Sequence, residues 1–337
     1  MADLKSKFMA VYSVLKSELL NDPVFEHNDF SRQWLEGMFD YNAPEGELNL
    51  GLSVLNSYRL LKQGEALTED EEFLSCALGL CLEWLQKYFS VINGVTDDSK
   101  SHDDDSYMFK VSKMGSLRMN VGLTLHTHKY TSRILKKHFR GKPYYVDLVD
   151  LFNEVEYRAT HGQVMNLVHT RVGEKDLSKF SLSLYRQTVA YKTAYYSLYL
   201  PVMCALLMFD ENMDNNHDIN QEIFIEMAIY FQVRDDYLNC FGHPVAGGKR
   251  GTDIQDFNCS WLVVKALDLC NDEQKKTLYE NYGKHDSICI AKVEELYKVL
   301  KLQDAYLEYE ASSYDKITKL IEAHPRKEVQ EVLKSFL

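Results

Sequence analysis

Two adjacent carboxylates in the second half of the chain are the first residues whose type and spacing could do chemistry. In FQVRDDYLN, Gln232, Asp235, Asp236 and Asn239 are spaced i, i+3, i+4 and i+7, so a helix places them on one face. Carboxylates at the end of an apolar helix are costly to bury unless they meet cations. Mg²⁺ favours one or two carboxylates completed by substrate phosphates and water. Lys249, in the glycine-bounded turn GGKRG, is placed to bind the same phosphate. The alternative is a solvated helix end.

A second helical segment, YKTAYYSLYLP, combines a lysine with aromatic rings. Lys192, Tyr195, Tyr196 and Tyr199 have the same i, i+3, i+4 and i+7 spacing. On one helical face, the lysine would bind a departing diphosphate while the rings stabilise a developing carbocation through cation–π contacts. The alternative is core packing with a lysine whose amine reaches solvent.

Two amides, Gln163 and Asn166 in HGQVMN, form a polar face one helical turn long. Such a pair is either a mutually satisfied buried pair or part of a binding site, and the spacing alone leaves both interpretations open.

The bulk composition restricts the partners and the compartment. A formal net charge of −12 over 337 residues argues against nucleic acid or an anionic membrane as the main partner. The seven scattered cysteines form no C-x-x-C pair and indicate free thiols in a reducing compartment. The run SLYLPVMCALLMF is shorter than the roughly 20 residues of a membrane span, and the N-terminus lacks a targeting pattern. We therefore expect a cytoplasmic protein without a membrane span.

Helical periodicity dominates the rest of the chain. Apolar residues recur at three- and four-residue steps in most segments, and no alternating strand pattern is present. Thr68 and Glu71 have the spacing of a capping box and predict a helix start. With only 6 prolines and 16 glycines, the sequence predicts an all-α fold. We expect a single domain over residues 1–337 with about ten helices.

Three motifs resemble those of farnesyl diphosphate synthases. FQVRDDYLNCFGHPVAGGKRGTDIQ resembles the second aspartate-rich region of that family, YKTAYYSLYLP its K-T-A-F-Y-S-F-Y-L-P, and GLSVLNSYR the stretch after its first substrate loop. The resemblance implies the isoprenoid synthase fold, a helical bundle around a deep apolar pocket, and a homodimer. It also implies that two acidic helices bind Mg²⁺, with Mn²⁺ as an alternative, together with an allylic prenyl diphosphate.

Together with the patterns above, the resemblance assigns roles to individual residues. The expected metal ligands are Asp97, Asp235, Asp236 and Asn239. The expected catalytic residues are Lys192, Asp235, Asp236 and Lys249. The expected substrate-binding residues are Lys192, Thr193, Gln232, Lys249, Gln163 and the aromatic residues Tyr88, Phe89, Tyr195 and Tyr196.

Two family motifs are eroded. The first aspartate-rich motif, D-D-x-x-D, reads NGVTD, so Asn93 and Gly94 replace carboxylates and only Asp97 remains. The loop G-G-K-x-N-R-G reads EGELNLG, with Glu47 in place of the lysine and Leu50 in place of the arginine. In the family these cations hold isopentenyl diphosphate, which a carboxylate at short range would repel.

These departures favour a reaction that needs one allylic diphosphate and no second substrate. An ionised allylic diphosphate without an acceptor alkene loses a proton, cyclises or captures water. We therefore expect a terpene synthase, specifically a sesquiterpene synthase acting on farnesyl diphosphate, that works as a lyase and resembles the insect terpene synthases derived from this family. The alternatives are a catalytically silent or regulatory paralogue and a residual short-chain prenyltransferase.

Overall fold

The described part of the chain is helical throughout. A computed structural model describes residues 2–23, 29–41, 48–96, 129–170, 175–210, 219–242 and 251–337. Every regular element among these residues is a helix, which confirms the predicted all-α class. The expectation was about ten helices, and thirteen α-helices have both ends within the described residues, five of them after residue 260.

The α-helices are numbered here in chain order. They are α1 (Ala2–Leu20), α2 (Asp29–Tyr41), α3 (Asn49–Leu61), α4 (Glu69–Thr96), α5 (Tyr145–Thr170), α6 (Leu182–Val189), α7 (Leu200–Asp210), α8 (Gln221–Phe241), α9 (Trp261–Leu269), α10 (Asp272–Asn281), α11 (Ser287–Val299), α12 (Leu302–Glu322) and α13 (Lys327–Lys334). The structure also contains two π-helical segments, Leu135–Phe139 and Ala190–Tyr199, and one short 3₁₀ helix, Leu177–Lys179. Residues 129–134, directly before the first π-helical segment, are α-helical too.

The chain divides into two compact units. The first unit comprises Met1–Asn153 and Leu200–Asp218, and the second comprises Glu154–Tyr199 and Ile219–Leu337. The expectation of a single domain over residues 1–337 stays a prediction.

In the first unit, α3 and α4 approach each other at the level of the backbone. A Cβ added at Gly79 would lie 2.1 Å from the carbonyl oxygen of Gly51, and one added at Gly51 would lie 2.5 Å from the ring of Phe8. The Gly51 N–H donates to the Glu83 carboxylate at 2.6 Å. Both glycines are therefore required by close packing, since any larger side chain would separate the two helices.

In the second unit, α8 is the central helix. It packs against the π-helical segment Ala190–Tyr199 on one side and against α12 and α9 on others. Its apolar residues Phe224, Met227 and Val233 are almost fully buried. The acidic pair at its C-terminal end is therefore carried by a helix that the core holds firmly in place.

One long helix meets the length and composition criteria for a membrane span. It runs through α6, the second π-helical segment and α7, from Leu182 to Asp210, and 67% of its most apolar 18-residue window is buried within the protein. A buried core helix meets the same criteria. The cytoplasmic localisation stays a prediction.

The predicted capping box at the start of α4 is confirmed. The backbone N–H of Thr68 donates to the Glu71 carboxylate at 2.8 Å, and the Glu71 N–H donates to Thr68 Oγ1 at 3.2 Å. Tyr58 and Lys62 also donate to this carboxylate. Burial alone would raise the pKa of Glu71, but these donors outweigh it and lower the pKa to about 2.

We expect Glu71→Gln to lower the free energy of unfolding at pH 7 by about 1 kcal/mol, because glutamine can keep the capping hydrogen bond but loses the charge that strengthens the bonds from Lys62 and Tyr58. Because the folded-state pKa lies below the unfolded-state value, the carboxylate stabilises the fold above that unfolded value, and the contribution is lost as pH falls towards 2. Urea unfolding at pH values from 7 to 3 should show that the difference in unfolding free energy between wild type and variant becomes smaller as the pH falls.

Glu69→Gln, an exposed change in the same helical turn, is the control and should leave stability nearly unchanged. A difference in unfolding free energy that stays constant across this pH range would contradict this role of the Glu71 carboxylate.

Candidate active site

Asp236 is held in place within the candidate site by burial and hydrogen bonds. Its carboxylate is buried, with 5% of the residue exposed. Oδ2 accepts the backbone N–H of Trp261 at 2.7 Å, and Oδ1 accepts the side-chain amide of Gln232 at 2.9 Å. Trp261 is the first residue of α9, and the preceding Ser260 makes no side-chain cap. The carboxylate thus satisfies an N–H that the helix leaves without a partner, and it lies at the positive end of the helix dipole.

The buried environment changes the protonation of Asp236. Burial is the main reason that its pKa rises to about 7, and the neighbouring Asp253 carboxylate adds to the rise. The hydrogen bonds from Trp261 and Gln232 act in the opposite direction. The expected role of Asp236 as a metal ligand stays a prediction, but both of its oxygens already accept hydrogen bonds.

Asp235 differs from its neighbour because it is exposed. No hydrogen-bond donor is recorded for its carboxylate among the described residues, so its oxygens remain available to a ligand. Partial desolvation raises its pKa, and the adjacent Arg234 acts against that rise. Of the predicted acidic pair, Asp235 is the residue whose geometry suits binding of a cation.

Asp253 is a site residue that the sequence patterns did not single out. Its carboxylate accepts the side-chain amide of Asn258 at 2.9 Å. Burial raises its pKa, as do the carboxylates of Asp256 and Asp235, and the ammonium group of Lys192 lowers it. The structure therefore brings Asp235, Asp253 and Lys192 within electrostatic reach. The signal was present in GTDIQD, where an aspartate follows the glycine-rich turn, but no spacing rule links it to α8.

Asn239 connects the end of α8 to the segment that begins at Gly251. Its Oδ1 accepts the backbone N–H of Asp253 at 3.3 Å. A Cβ added at Gly251 would lie 2.0 Å from the same oxygen, so only glycine allows this approach. The expected role of Asn239 as a metal ligand stays a prediction, and its observed contact positions Asp253.

Lys192 and Thr193 lie in the π-helical segment Ala190–Tyr199, which the sequence patterns treated as an α-helix. Because π-helical hydrogen bonds run from i to i+5, the predicted α-helical face through Lys192, Tyr195, Tyr196 and Tyr199 is wrong. The observed column of rings runs in four-residue steps instead. Its ring centroids lie 6.2 Å apart for Tyr191–Tyr195 and 5.9 Å apart for Tyr195–Tyr199.

Tyr195 and Tyr196, two aromatic residues predicted to line the pocket, are each partly covered by other parts of the protein. The guanidinium of Arg158 lies 4.4 Å from the ring centroid of Tyr195, so a cation of the chain already covers this ring. Burial raises the pKa of Tyr196, whose side chain is partly enclosed. The roles of both tyrosines in stabilising a carbocation stay predictions.

Gln163 lies where α5 touches the π-helical segment. A Cβ added at the preceding Gly162 would lie 2.6 Å from the backbone nitrogen of Lys192. The Nε2 atom of Gln163 is buried and has no hydrogen-bond partner within the described structure. An unsatisfied buried amide is costly, so this donor suits a bound ligand better than a mutually satisfied pair with Asn166.

The remaining predicted site residues belong to the first unit or lie outside the described residues. The rings of Tyr88 and Phe89, near the C-terminal end of α4, contact each other edge to face with centroids 5.1 Å apart. Asp97 and Lys249 lie outside the described residues. Their expected roles stay predictions.

No group of three or more potential metal-binding side chains exists within the described ranges. The donor set around Asp235 therefore does not fit a metal held by protein ligands alone. It does fit Mg²⁺, which is commonly held by one or two carboxylates and completed by phosphate oxygens and water. The mutual repulsion of Asp235 and Asp253 is the kind of strain that such a cation relieves.

Comparisons of the sequence and of the structure with known proteins indicate the same family. The family model for polyprenyl synthetase matches residues 32–300. Farnesyl pyrophosphate synthases from Panax ginseng and Lupinus albus are each 60% identical to the chain, over 100% of it and 98% of the relative. A crystal structure of Trypanosoma brucei farnesyl diphosphate synthase superposes with a TM-score of 0.88 at 27% identity, covering 98% of this chain and 97% of that one. This similarity confirms the isoprenoid synthase fold.

The expected terpene synthase and lyase activities are wrong. The relatives that match the whole chain are farnesyl pyrophosphate synthases, which are transferases. The comparisons give no support to a specific relation to insect terpene synthases. The expectation gave too much weight to two eroded motifs, because the loss of local cations weakens one substrate site without assigning a different reaction.

We expect Gly162→Ala to weaken the binding of geranyl diphosphate in the presence of Mg²⁺ at least tenfold. The added methyl group would collide with the backbone of Lys192 and displace the ammonium group and the Gln163 amide together. Isothermal titration calorimetry measures the effect.

Gly141→Ala is the matched control, because a Cβ at that glycine meets nothing within 4 Å. If Gly162→Ala and Gly141→Ala bind geranyl diphosphate with equal affinity, the close approach of Gly162 does not position Lys192.

Proposed function

The chain belongs to the polyprenyl synthetase family, and from this premise we propose that it is a short-chain prenyltransferase with a weakened site for its second substrate. The reaction joins an allylic prenyl diphosphate to isopentenyl diphosphate and releases diphosphate. The 60% identity to farnesyl pyrophosphate synthases over the whole chain is the observation that carries this proposal. The arrangement of Asp235, Asp253 and Lys192 supports it, because it offers both signs of charge that a metal–diphosphate complex needs.

We assign the binding of the allylic diphosphate to the second unit. The Lys192 ammonium group would bind the diphosphate, and the unpaired Nε2 of Gln163 would donate a further hydrogen bond to the substrate. Asp235 would bind Mg²⁺, with Mn²⁺ as an alternative, and the metal would supply positive charge to the departing diphosphate. Asp236 would hold Gln232 and the start of α9 in position rather than meet the substrate.

The weakened step is the binding of isopentenyl diphosphate. Glu47 and Leu50 stand where the family has a lysine and an arginine that hold this substrate. On the allylic side, Asn93 and Gly94 stand where the family has carboxylates that bind Mg²⁺. These residues favour a second candidate function, that of a catalytically silent or regulatory paralogue. A direct assay separates the two functions.

The assay supplies purified protein with Mg²⁺, geranyl diphosphate and isopentenyl diphosphate, and analyses the prenyl diphosphates by liquid chromatography and mass spectrometry. We expect farnesyl diphosphate to form only when isopentenyl diphosphate is present, with a raised KM for that substrate, and Asp235→Ala to abolish it. No product from folded protein would favour the silent paralogue. A hydrocarbon or alcohol formed without isopentenyl diphosphate would contradict the proposal.

Restoring the lost cations tests whether their loss weakens the binding of isopentenyl diphosphate. We expect Glu47→Lys with Leu50→Arg to lower the KM for isopentenyl diphosphate at least tenfold, because the change removes a repulsive carboxylate and adds two cations. The KM for geranyl diphosphate should change little. Glu69→Lys with Leu60→Arg, at two positions with exposed side chains, controls for overall charge.

We further propose that the protein forms a homodimer through α5. Three large side chains on one face of this helix are exposed, namely Tyr157 (72%), Val164 (51%) and Val168 (48%). Their spacing of seven and four residues makes a continuous apolar stripe, which a second copy would cover. The full-length relationship to farnesyl pyrophosphate synthases is consistent with this assembly.

We expect Val164→Glu with Val168→Glu to convert the dimer to a monomer in sedimentation-velocity experiments. Leu307→Glu, at another exposed apolar position of the second unit, should leave the dimer intact. A double variant that sediments as wild type would place the interface elsewhere.

A further inference from the structure

The first unit contains a pocket that the proposed reaction does not use. It lies between the C-terminal turn of α1 with the residues that follow it and the helical residues 133–140, and its volume is about 640 Å³. This volume is within the range of pockets that bind small molecules. The side chains of Leu19, Pro23 and Ile134 contribute apolar surface to its wall.

The charge of this pocket is opposite to that of the protein. Four cations line it, Arg133, Lys136, Lys137 and Arg140, against two carboxylates, Glu18 and Asp22. The chain as a whole carries a formal charge of −12. A positive concavity in an acidic protein attracts anions selectively, because the rest of the surface repels them.

Internal ion pairs account for only part of this positive charge. Glu18 binds Lys137 at 3.0 Å and the ring of His138 at 2.7 Å. Burial alone would raise the pKa of Glu18, but these two partners hold it below its usual value, so the carboxylate stays ionised. The Asp22 carboxylate accepts the Arg133 Nε–H at 2.8 Å. Both carboxylates are therefore already engaged.

Lys136 and Arg140 are the two cations of this pocket that do not pair with its carboxylates. Both are exposed, and no ion pair or hydrogen bond joins either side chain to another part of the chain that the structure describes. They are four residues apart at the end of the π-helical segment Leu135–Phe139, so their side chains project from neighbouring positions of one turn. Two unneutralised cations at the rim of one pocket match a compact anion with at least two negative charges.

We propose that this pocket binds a diphosphate group, with Lys136 and Arg140 as its principal ligands. A guanidinium binds two phosphate oxygens at once and a lysine adds a point charge, which together suit a diphosphate better than a single carboxylate. The group comes either from inorganic diphosphate or from a prenyl diphosphate, whose hydrocarbon chain would lie against the apolar wall. The site shares no residue with the proposed active site and does not depend on the proposed function.

A structural role for the same cations makes a different prediction. Basic residues in the last turn of a helix stabilise it through the helix dipole. If this were their whole role, replacing them would lower the thermal midpoint without changing the binding of any anion. The test therefore measures binding and stability on the same variants.

The experiment titrates inorganic pyrophosphate into the full-length protein in EDTA, so that metal-dependent binding at the active site is absent. We expect one site per chain by calorimetry, and an affinity at least tenfold lower in Lys136→Ala with Arg140→Ala. Lys276→Ala with Lys284→Ala, two exposed lysines of the second unit, removes the same charge and should bind as wild type does. Thermal melts check that all variants are folded.

A second titration with geranyl diphosphate under the same conditions distinguishes the two sources. Tighter binding than that of pyrophosphate, lost in the same double variant, assigns the site to a prenyl diphosphate, and equal affinities assign it to inorganic diphosphate. No binding at about 1 mM ligand, or equal weakening in both double variants, would overturn the proposal.

Discussion

The hydrogen bond from the Trp261 backbone to the buried Asp236 carboxylate is the constraint on which the candidate site depends. It fixes the C-terminal end of α8 to the N-terminal end of α9, and the Gln232 amide holds the other oxygen. Because neighbouring residues on a helix point in directions about 100° apart, fixing Asp236 inward leaves Asp235 outward. One carboxylate of the pair thus organises the structure, and the other remains available to a cation.

The sequence predicted the helical class and the capping box at Thr68, because each depends on local spacing. It also predicted one face of α8 with Gln232, Asp235, Asp236 and Asn239, whereas the structure buries Asp236 and leaves Asp235 exposed. It could not predict the π-helical segment around Lys192, to which Gly162 lies close. It also missed Asp253, since the electrostatic interaction between this residue and Lys192 arises only from tertiary packing. Local rules describe single elements well and contacts between elements poorly.

The functional expectation failed for a related reason. The substitutions at Glu47 and Leu50 are chemically unfavourable for a second diphosphate, and those at Asn93 and Gly94 remove carboxylates that the resemblance assigns to Mg²⁺ and the allylic substrate. They bear on how strongly substrates bind, whereas the 60% identity to farnesyl pyrophosphate synthases extends over the whole chain. The proposed transferase with a weakened second site is consistent with both observations, because a loss of uniform substrate binding raises KM without changing the reaction.

The most direct test of the account is a crystal structure of the protein with Mn²⁺ and a non-hydrolysable analogue of geranyl diphosphate, with the metal located by anomalous scattering. The account predicts Mn²⁺ bound to Asp235, the diphosphate in contact with Lys192 and Gln163, and Asp236 still bound to Trp261. A metal on Asp236 with its hydrogen bond to Trp261 broken, or a diphosphate far from Lys192, would contradict it.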